Sequence, residues 1–202
     1  MQRLCVFCGS SSGVKTEYAD AAKALGNAMA QRDIDLVYGG ASIGLMGAIA
    51  DAVLEAGGNV TGVIPEHLQQ FEISHPGLTE LHIVADMHER KAAMASMADG
   101  FIAMPGGIGT LEELIEICTW QQLGLHSKPT GILNVAHYYD KLIEFIAHSV
   151  DEGFLRAQHQ NNLLSHSTPD ELLNSMAHFN ENTDQFLTEK LQKRSDNPDY
   201  YQ

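Results

Sequence analysis

Residues 100–113 read "GFIAMPGGIGTLEE". A nearly continuous apolar run, Gly100 to Met104, enters a proline and three glycines, and a helical pattern opens directly after them. The run is too short for a helix, and apolarity without alternation marks a strand buried on both faces. A buried strand passing through a glycine turn into a helix is half of a βαβ unit. The same unit recurs on either side. Strands are predicted at 2–8, 34–38, 59–64, 81–85, 100–104 and 130–134, with a shorter one at 162–165. Helical patterns lie between them at about 16–31, 44–57, 87–98, 110–124 and 138–151. A last helix opens at "TPDELL": Thr168 caps it, Pro169 takes its first position and Glu171 completes a capping box. The alternation predicts an α/β fold, a doubly wound, Rossmann-like parallel sheet with helices on both faces.

The chain has 202 residues, 44% of them hydrophobic, enough for one domain with a sizeable core. That domain is read as residues 1–180. Residues 181–202 are polar, rich in Asn, Asp and Gln, and are expected to form a flexible tail. A formal net charge of −14 argues against nucleic acid and against an anionic membrane surface, since both require basic patches. No apolar run approaches the roughly 20 residues of a membrane span, and the N-terminus lacks the basic-then-apolar order of a secretory leader. Three cysteines make no disulfide framework, so a reduced, cytoplasmic protein is expected. Cys5 and Cys8 are spaced C-x-x-C, but they lie within the first strand and read as packing. The ten histidines form no H-x-x-x-H pair and no Cys/His cluster, so neither a metal nor another cofactor is expected.

In an open parallel sheet, ligands bind beyond the carboxyl ends of the strands. Four loops lie there: "GSSSG" (Gly9–Gly13), "GGASIGLMG" (Gly39–Gly47), "DMHERK" (Asp86–Lys91) and "PGGIGTLEE" (Pro105–Glu113). Glycine lets backbone N–H groups approach a phosphate or sugar, and the following helix N-terminus adds positive partial charge. Arg90 and Lys91 add full cations. Known nucleotide loops do not match. Glu112 stands where G-x-G-x-x-G needs its third glycine, and Gly39–Gly47 lacks the Lys-Ser/Thr of a P-loop. "CGSSSG" is not the G-x-S-x-G of a serine hydrolase. Met87, Met94 and Met97 read as core or interface packing.

Glu113 has two readings. Thr110 and Glu113 are spaced as a capping box, which would make the glutamate a helix cap. Alternatively, a carboxylate beside a phosphate cradle faces a sugar, where it can hold hydroxyls, position water or steady an oxocarbenium-like transition state.

The paired motifs P-G-G-x-G-T-x-x-E (Pro105–Glu113) and M-H-x-R-K-x-x-M (Met87–Met94) resemble those of the LOG ("Lonely Guy") family. The resemblance runs from residue 3 to about 180 and takes in "CVFCGSSSG", "LVYGGASIGLMGAIADAVL", "GVIP" and "TWQQLGLHSKPTGILN". It implies hydrolysis of the N-glycosidic bond of an N6-substituted adenosine monophosphate, or of AMP, to free base and ribose 5-phosphate, by a homodimer with sites near the subunit interface. Many relatives carry the name lysine decarboxylase, which would need pyridoxal phosphate on a Schiff-base lysine, and no such lysine motif is present. Residue by residue, the resemblance puts Arg90 and Glu113 on the catalytic pair. It puts Lys91, Gly107, Ile108, Gly109, Thr110, Leu111, Glu112 and Thr119 on nucleotide-contacting positions, and Glu72 on another. Ile108 stands where a tyrosine is frequent, and "HLQQFEISHPGLTE" around Glu72 departs most from the plant pattern. On this reading the phosphate lies on the loop of Gly106, Gly107 and Thr110, with Gly9, Ser10, Ser11 and Gly40 of the neighbouring loops contributing. Asp86 and Glu112 are candidates to protonate the leaving base. A non-catalytic nucleotide-binding or carrier module on the same fold stands as the alternative.

Overall fold

The structure, a computed structural model, describes residues 1–69 and 74–179. Glu72 and the predicted tail, 181–202, lie outside the described residues. Seven strands form one parallel sheet: β1 (Arg3–Phe7), β2 (Asp35–Tyr38), β3 (Val60–Pro65), β4 (Glu80–Val84), β5 (Gly100–Ala103), β6 (Thr130–Leu133) and β7 (Leu163–His166). Their order is β4-β3-β2-β1-β5-β6-β7. The chain thus builds outward from β1 to β4, returns through a helix and builds outward again from β5. The reversal leaves β1 and β5 side by side, in register at Cys5–Phe101 and Val6–Ile102, with a crevice beyond their carboxyl ends.

The helices are α1 (Thr16–Ala30), α2 (Gly44–Glu55), α3 (Glu66–Gln69), α4 (Met87–Met97), α5 (Ile108–Gln122), α6 (Asp140–Asp151), α7 (Ala157–Asn162) and α8 (Pro169–Ala177). They cover both faces because the central strands have two apolar faces to bury. On β1, Leu4 and Val6, followed by Cys8, join one core with Tyr18 and Leu25 of α1, Leu45 and Ile49 of α2 and Leu172 of α8. Cys5 and Phe7 point the other way, to Met94 of α4 and Ile117 of α5. The two cysteines therefore lie on opposite faces, which a period of two requires of positions three apart. Ala103, Leu114, Ile132 and Tyr139 close a third cluster, under α6. Burying each large side chain completely contributes about 1.5–3 kcal/mol.

The predicted elements are all present, with shifted ends. Thr168 caps α8 as expected, accepting a hydrogen bond from the Glu171 N–H. The predicted start at 110 is corrected to Ile108, because Gly107, not Thr110, is the cap residue of α5. The pattern at 138 becomes a short 3-10 turn at Val135–His137 followed by α6. Neither α3 nor α7 was predicted. Both are about a turn or so long, and "AQHQNN" carries no apolar period to read.

Candidate active site

Three strand ends meet in the crevice. The Gly9 N–H donates to the Pro105 carbonyl (3.1 Å), joining the β1 and β5 loops. The Gly9 carbonyl accepts from the Leu45 N–H (3.0 Å), joining the start of α2. Two tyrosines support the β5 loop from below: Tyr139 donates its hydroxyl to the Met104 carbonyl (2.7 Å) and Tyr138 to that of Gly106. The result is a cleft of about 220 Å³, lined by Gly9, Ser10, Gly39, Arg90, Gly107, Gly109, Thr110, Glu112 and Glu113, with Cys8, Met46, Met87 and Met94 among its apolar walls.

The glycines of the β5 loop divide by what a side chain would meet. A Cβ on Gly106 would lie 2.2 Å from Thr110 Oγ1 and 2.9 Å from the Gly9 nitrogen, so internal packing excludes it. A Cβ on Gly107 or Gly109 would meet nothing within 4 Å. Their bareness serves no internal contact; it opens the backbone to the cleft. Gly107 gives α5 no side-chain cap. The first N–H groups of that helix have no partner in their own helix by geometry, which makes this end a ready anion site.

Arg90 enters from α4. Asp86 caps this helix, accepting from the His88 and Glu89 N–H groups (2.8 and 2.9 Å), and Glu89 reaches back to the Ala85 N–H (2.7 Å). The Glu89 N–H, helped by that of His88 and opposed by desolvation, holds the Asp86 carboxyl below its ordinary value. Asp86 is thus committed as a cap and does not line the cleft. Arg90 is only 7% exposed. Its Nε donates to the Val63 carbonyl (3.1 Å), and a Cβ on Gly39 would stand 2.0 Å from its Nη2. The guanidinium therefore occupies the volume that Gly39 leaves empty.

Glu113 enters from α5, buried at 9% exposure. Thr110 is inside the first turn rather than at the cap position, so the capping-box reading of Glu113 is overturned. Cys8 lies in the cleft wall, but burial, reinforced by the negative charge of Glu113, pushes its thiol far above its ordinary value, and it is no nucleophile.

Other sequence-predicted residues lie elsewhere. Lys91 does not line the cleft; it pairs with Glu112 (2.5 Å) and Glu116 (2.8 Å) on α5. Burial opposes its charge, but those carboxylates outweigh it and raise its pKa. Gly40 is a turn residue at φ +83° whose carbonyl accepts from the His75 N–H. Ser11 accepts from the Gly13 N–H (3.4 Å) instead of facing the cleft. Gly106 lies beneath Thr110. Ile108, Leu111 and Thr119 line a separate apolar groove on the outer side of α5, with Ile115, Trp120, Leu123 and Leu125. Sequence reasoning placed Gly39 and Met46 in one of the four site loops without giving either a role; it missed Tyr138 and Tyr139, and it assigned Met87 and Met94 to packing alone. The adjacency of the two tyrosines in "HYYD" was the available signal for that pair.

The chain is similar to several known proteins. Cytokinin riboside 5′-monophosphate phosphoribohydrolase LOG7 of Arabidopsis thaliana is 50% identical over 190 residues, 94% of this chain and 87% of its own. LOG3 of the same plant is 51% identical over 178 residues, covering 88% and 83%. The chain belongs to the LOG family. A probable member from Oryza sativa subsp. japonica, LOGL2, is 51% identical over 178 residues, 88% of this chain and 73% of its own. A family model described as possible lysine decarboxylase matches residues 46–176. The LOG cleft does not suit that description, because no lysine among the described residues lines it and Lys91 is held by two carboxylates. Among solved structures, the molybdenum cofactor binding protein of Rippkaea orientalis superposes at TM-score 0.66 with 20% identity, covering 87% of this chain and 96% of that one. The molybdenum cofactor carrier protein of Chlamydomonas reinhardtii gives 0.66 with 18% identity, covering 87% and 96%. At that identity the likeness is one of fold. No helix among the described residues is long and apolar enough to cross a membrane.

Proposed function

We propose that this LOG protein hydrolyses the N-glycosidic bond of adenosine 5′-monophosphates, N6-substituted ones included, giving free purine base and ribose 5-phosphate. One observation carries the reading: a buried arginine and a buried carboxylate line the same cleft as an uncapped helix N-terminus. The helix end, with Ser10 and Thr110, suits the 5′-phosphate. From there the ribose extends toward Glu113. As the C1′–N9 bond breaks, its electron pair leaves with the purine and C1′ becomes cationic. The Glu113 carboxylate steadies that cation and takes the proton of the water whose oxygen bonds to C1′; the departing purine takes up one proton from solvent, to which Glu113 later returns its own, so that neutral base and ribose 5-phosphate result. Arg90 stabilises the charge gathering on the purine, which lies against the Met46 and Met87 thioethers.

The reading includes a cytoplasmic homodimer built on one catalytic domain, residues 1–180. The cleft on one chain is smaller than the roughly 300–1,000 Å³ of most small-molecule sites, which supports completion by a second chain. The apolar groove beside it, where Ile108 is 81% exposed, supports the place of contact. The three cysteines are free, in keeping with a reducing compartment.

The test is a panel of nucleoside monophosphates and their parent nucleosides, with base and ribose 5-phosphate both quantified. We expect equimolar products and a strong preference for the monophosphates. Tight binding of nucleotides with no base released would sink the hydrolase and leave a carrier module.

A further inference from the structure

Two helices carry the reacting groups, and a lysine joins them. Arg90 is on α4 and Glu113 on α5. Lys91 directly follows Arg90, and Glu112 directly precedes Glu113. The Lys91 ammonium lies 2.5 Å from Glu112 Oε1 and 2.8 Å from Glu116 Oε2, with only 9% of the side chain exposed. We propose that Lys91 is a positioning residue: it ties α4 to α5 through Glu112 and Glu116, and so sets the span between Arg90 and Glu113. The proposal rests on the hydrolase reading above.

An ammonium has three donors; Lys91 gives one to Glu112 Oε1, and Glu116 Oε2 stands within ion-pair distance of the same nitrogen. The residue is absent from the cleft lining. Glu116 Oε2 is itself buried and has no directed hydrogen bond, so the Lys91 charge is what answers it. Removing Lys91 would take the neighbouring cation from Glu116 Oε2, a buried oxygen on a side chain that is otherwise 27% exposed, and the two helices would lose the ion pairs that hold them together at this point. A shift of about 1 Å between reacting groups can cost about a hundredfold in rate. At its other end α4 is held differently, by Lys128, whose Nζ donates to the Ala95 carbonyl (2.7 Å). That bond lies more than a helical turn from Arg90 and cannot replace the tie beside it.

A ligand and a tie separate in kinetics. Loss of a phosphate ligand raises KM and spares kcat, whereas loss of alignment lowers kcat. The experiment measures kcat and KM on AMP for Lys91→Met, Lys91→Arg, Glu116→Gln and the double variant Lys91→Met/Glu116→Gln, with thermal melts of each ligand-free protein. Lys91→Met should lose about tenfold or more in kcat with KM changed by less than about threefold. Lys91→Arg, whose fork still reaches two carboxylates, should recover most of the rate. The double variant should be no worse than Lys91→Met alone, in rate and in melting temperature, because both changes break one tie. If Lys91→Met fails to fold, the Lys91→Arg and Glu116→Gln rates decide: a normal Arg variant and a slowed Gln variant uphold the tie, the reverse overturns it. A KM raised by more than about tenfold at unchanged kcat, or additive losses in the double variant, would overturn it also. If the wild type releases base from no nucleotide, the hydrolase reading fails by itself. The ligand-free melts then judge the tie, which additive losses overturn and non-additive losses uphold.

Discussion

Arg90 and Glu113 illustrate what a single position can and cannot reveal. Both are charged, and both are more than nine-tenths buried, a state charged side chains enter only when something answers them. For Arg90, part of the answer is the Val63 carbonyl and the space over Gly39. Gly39→Ala should therefore damage catalysis from a distance. Its methyl group would collide with the guanidinium, and a displacement of about 1 Å is worth about a hundredfold in kcat. A circular dichroism spectrum and melt close to wild type, with that loss of rate, is the expected outcome; full activity would show that Arg90 works from another position. Glu113→Gln is isosteric, and since Thr110 is no cap, it removes no helix cap. It should fold with a melting temperature near wild type and lose about 10²–10⁴-fold in single-turnover base release. Normal turnover by this variant would mean that the negative charge does no chemistry. The resemblance made both residues legible in the sequence. Gly39 was quoted in its loop without a role, because no spacing rule links a glycine just after β2 to an arginine on α4. Their meeting depends on the sheet order.

Elements explain why a loop with three glycines needs each for a different reason. Gly106 is small because Thr110 and Gly9 press on it, whereas Gly107 and Gly109 face open space. The substitutions should separate accordingly. Gly106→Ala should destabilise the fold, since its Cβ would meet backbone as well as a side chain. Gly109→Ala lies inside α5 and should stabilise it, by up to roughly 0.5–1 kcal/mol from helix propensity. Yet it should raise KM for the monophosphate, because its methyl group projects into the cradle. Paired melts and KM values for the two variants check this, and a Gly109→Ala enzyme with unchanged KM would remove the backbone from the phosphate site. The sequence pattern located this strand, loop and helix but misjudged the helix start. Thr110 followed by Glu113 imitates a capping box, and the imitation arises because both residues sit on the one face of α5 turned to the cleft. A cap and a site ask for the same residue types at the same spacing, so periodicity alone does not separate them.

At the scale of the molecule, the doubly wound class was legible because seven short apolar runs alternate with helical patterns. The order β4-β3-β2-β1-β5-β6-β7 was not, since buried parallel strands resemble one another and no local signal records which pair. Nor did the pattern distinguish the two sides of α5. Leu114 and Ile117 face the core, while Ile115 on α5 and Leu123 and Leu125 just after its end are 45%, 53% and 68% exposed, and a contiguous exposed apolar patch is one expected to be covered. The groove they line shares Glu112 with the cleft, so a second chain seated there would reach the rim of the site. Leu125→Glu tests the arrangement with little risk to folding, since a mostly exposed side chain contributes little to the core. A buried charge at a subunit contact, however, costs several kcal/mol in practice. Wild-type protein should scatter light as a dimer at micromolar concentration and lose activity per chain on dilution through its dissociation range. Leu125→Glu should scatter as a monomer, melt cooperatively and retain only a small fraction of the wild-type kcat/KM. A monomeric variant with full kcat/KM would mean that one chain holds the whole site, and a wild-type protein that is monomeric at every concentration would remove the second chain altogether.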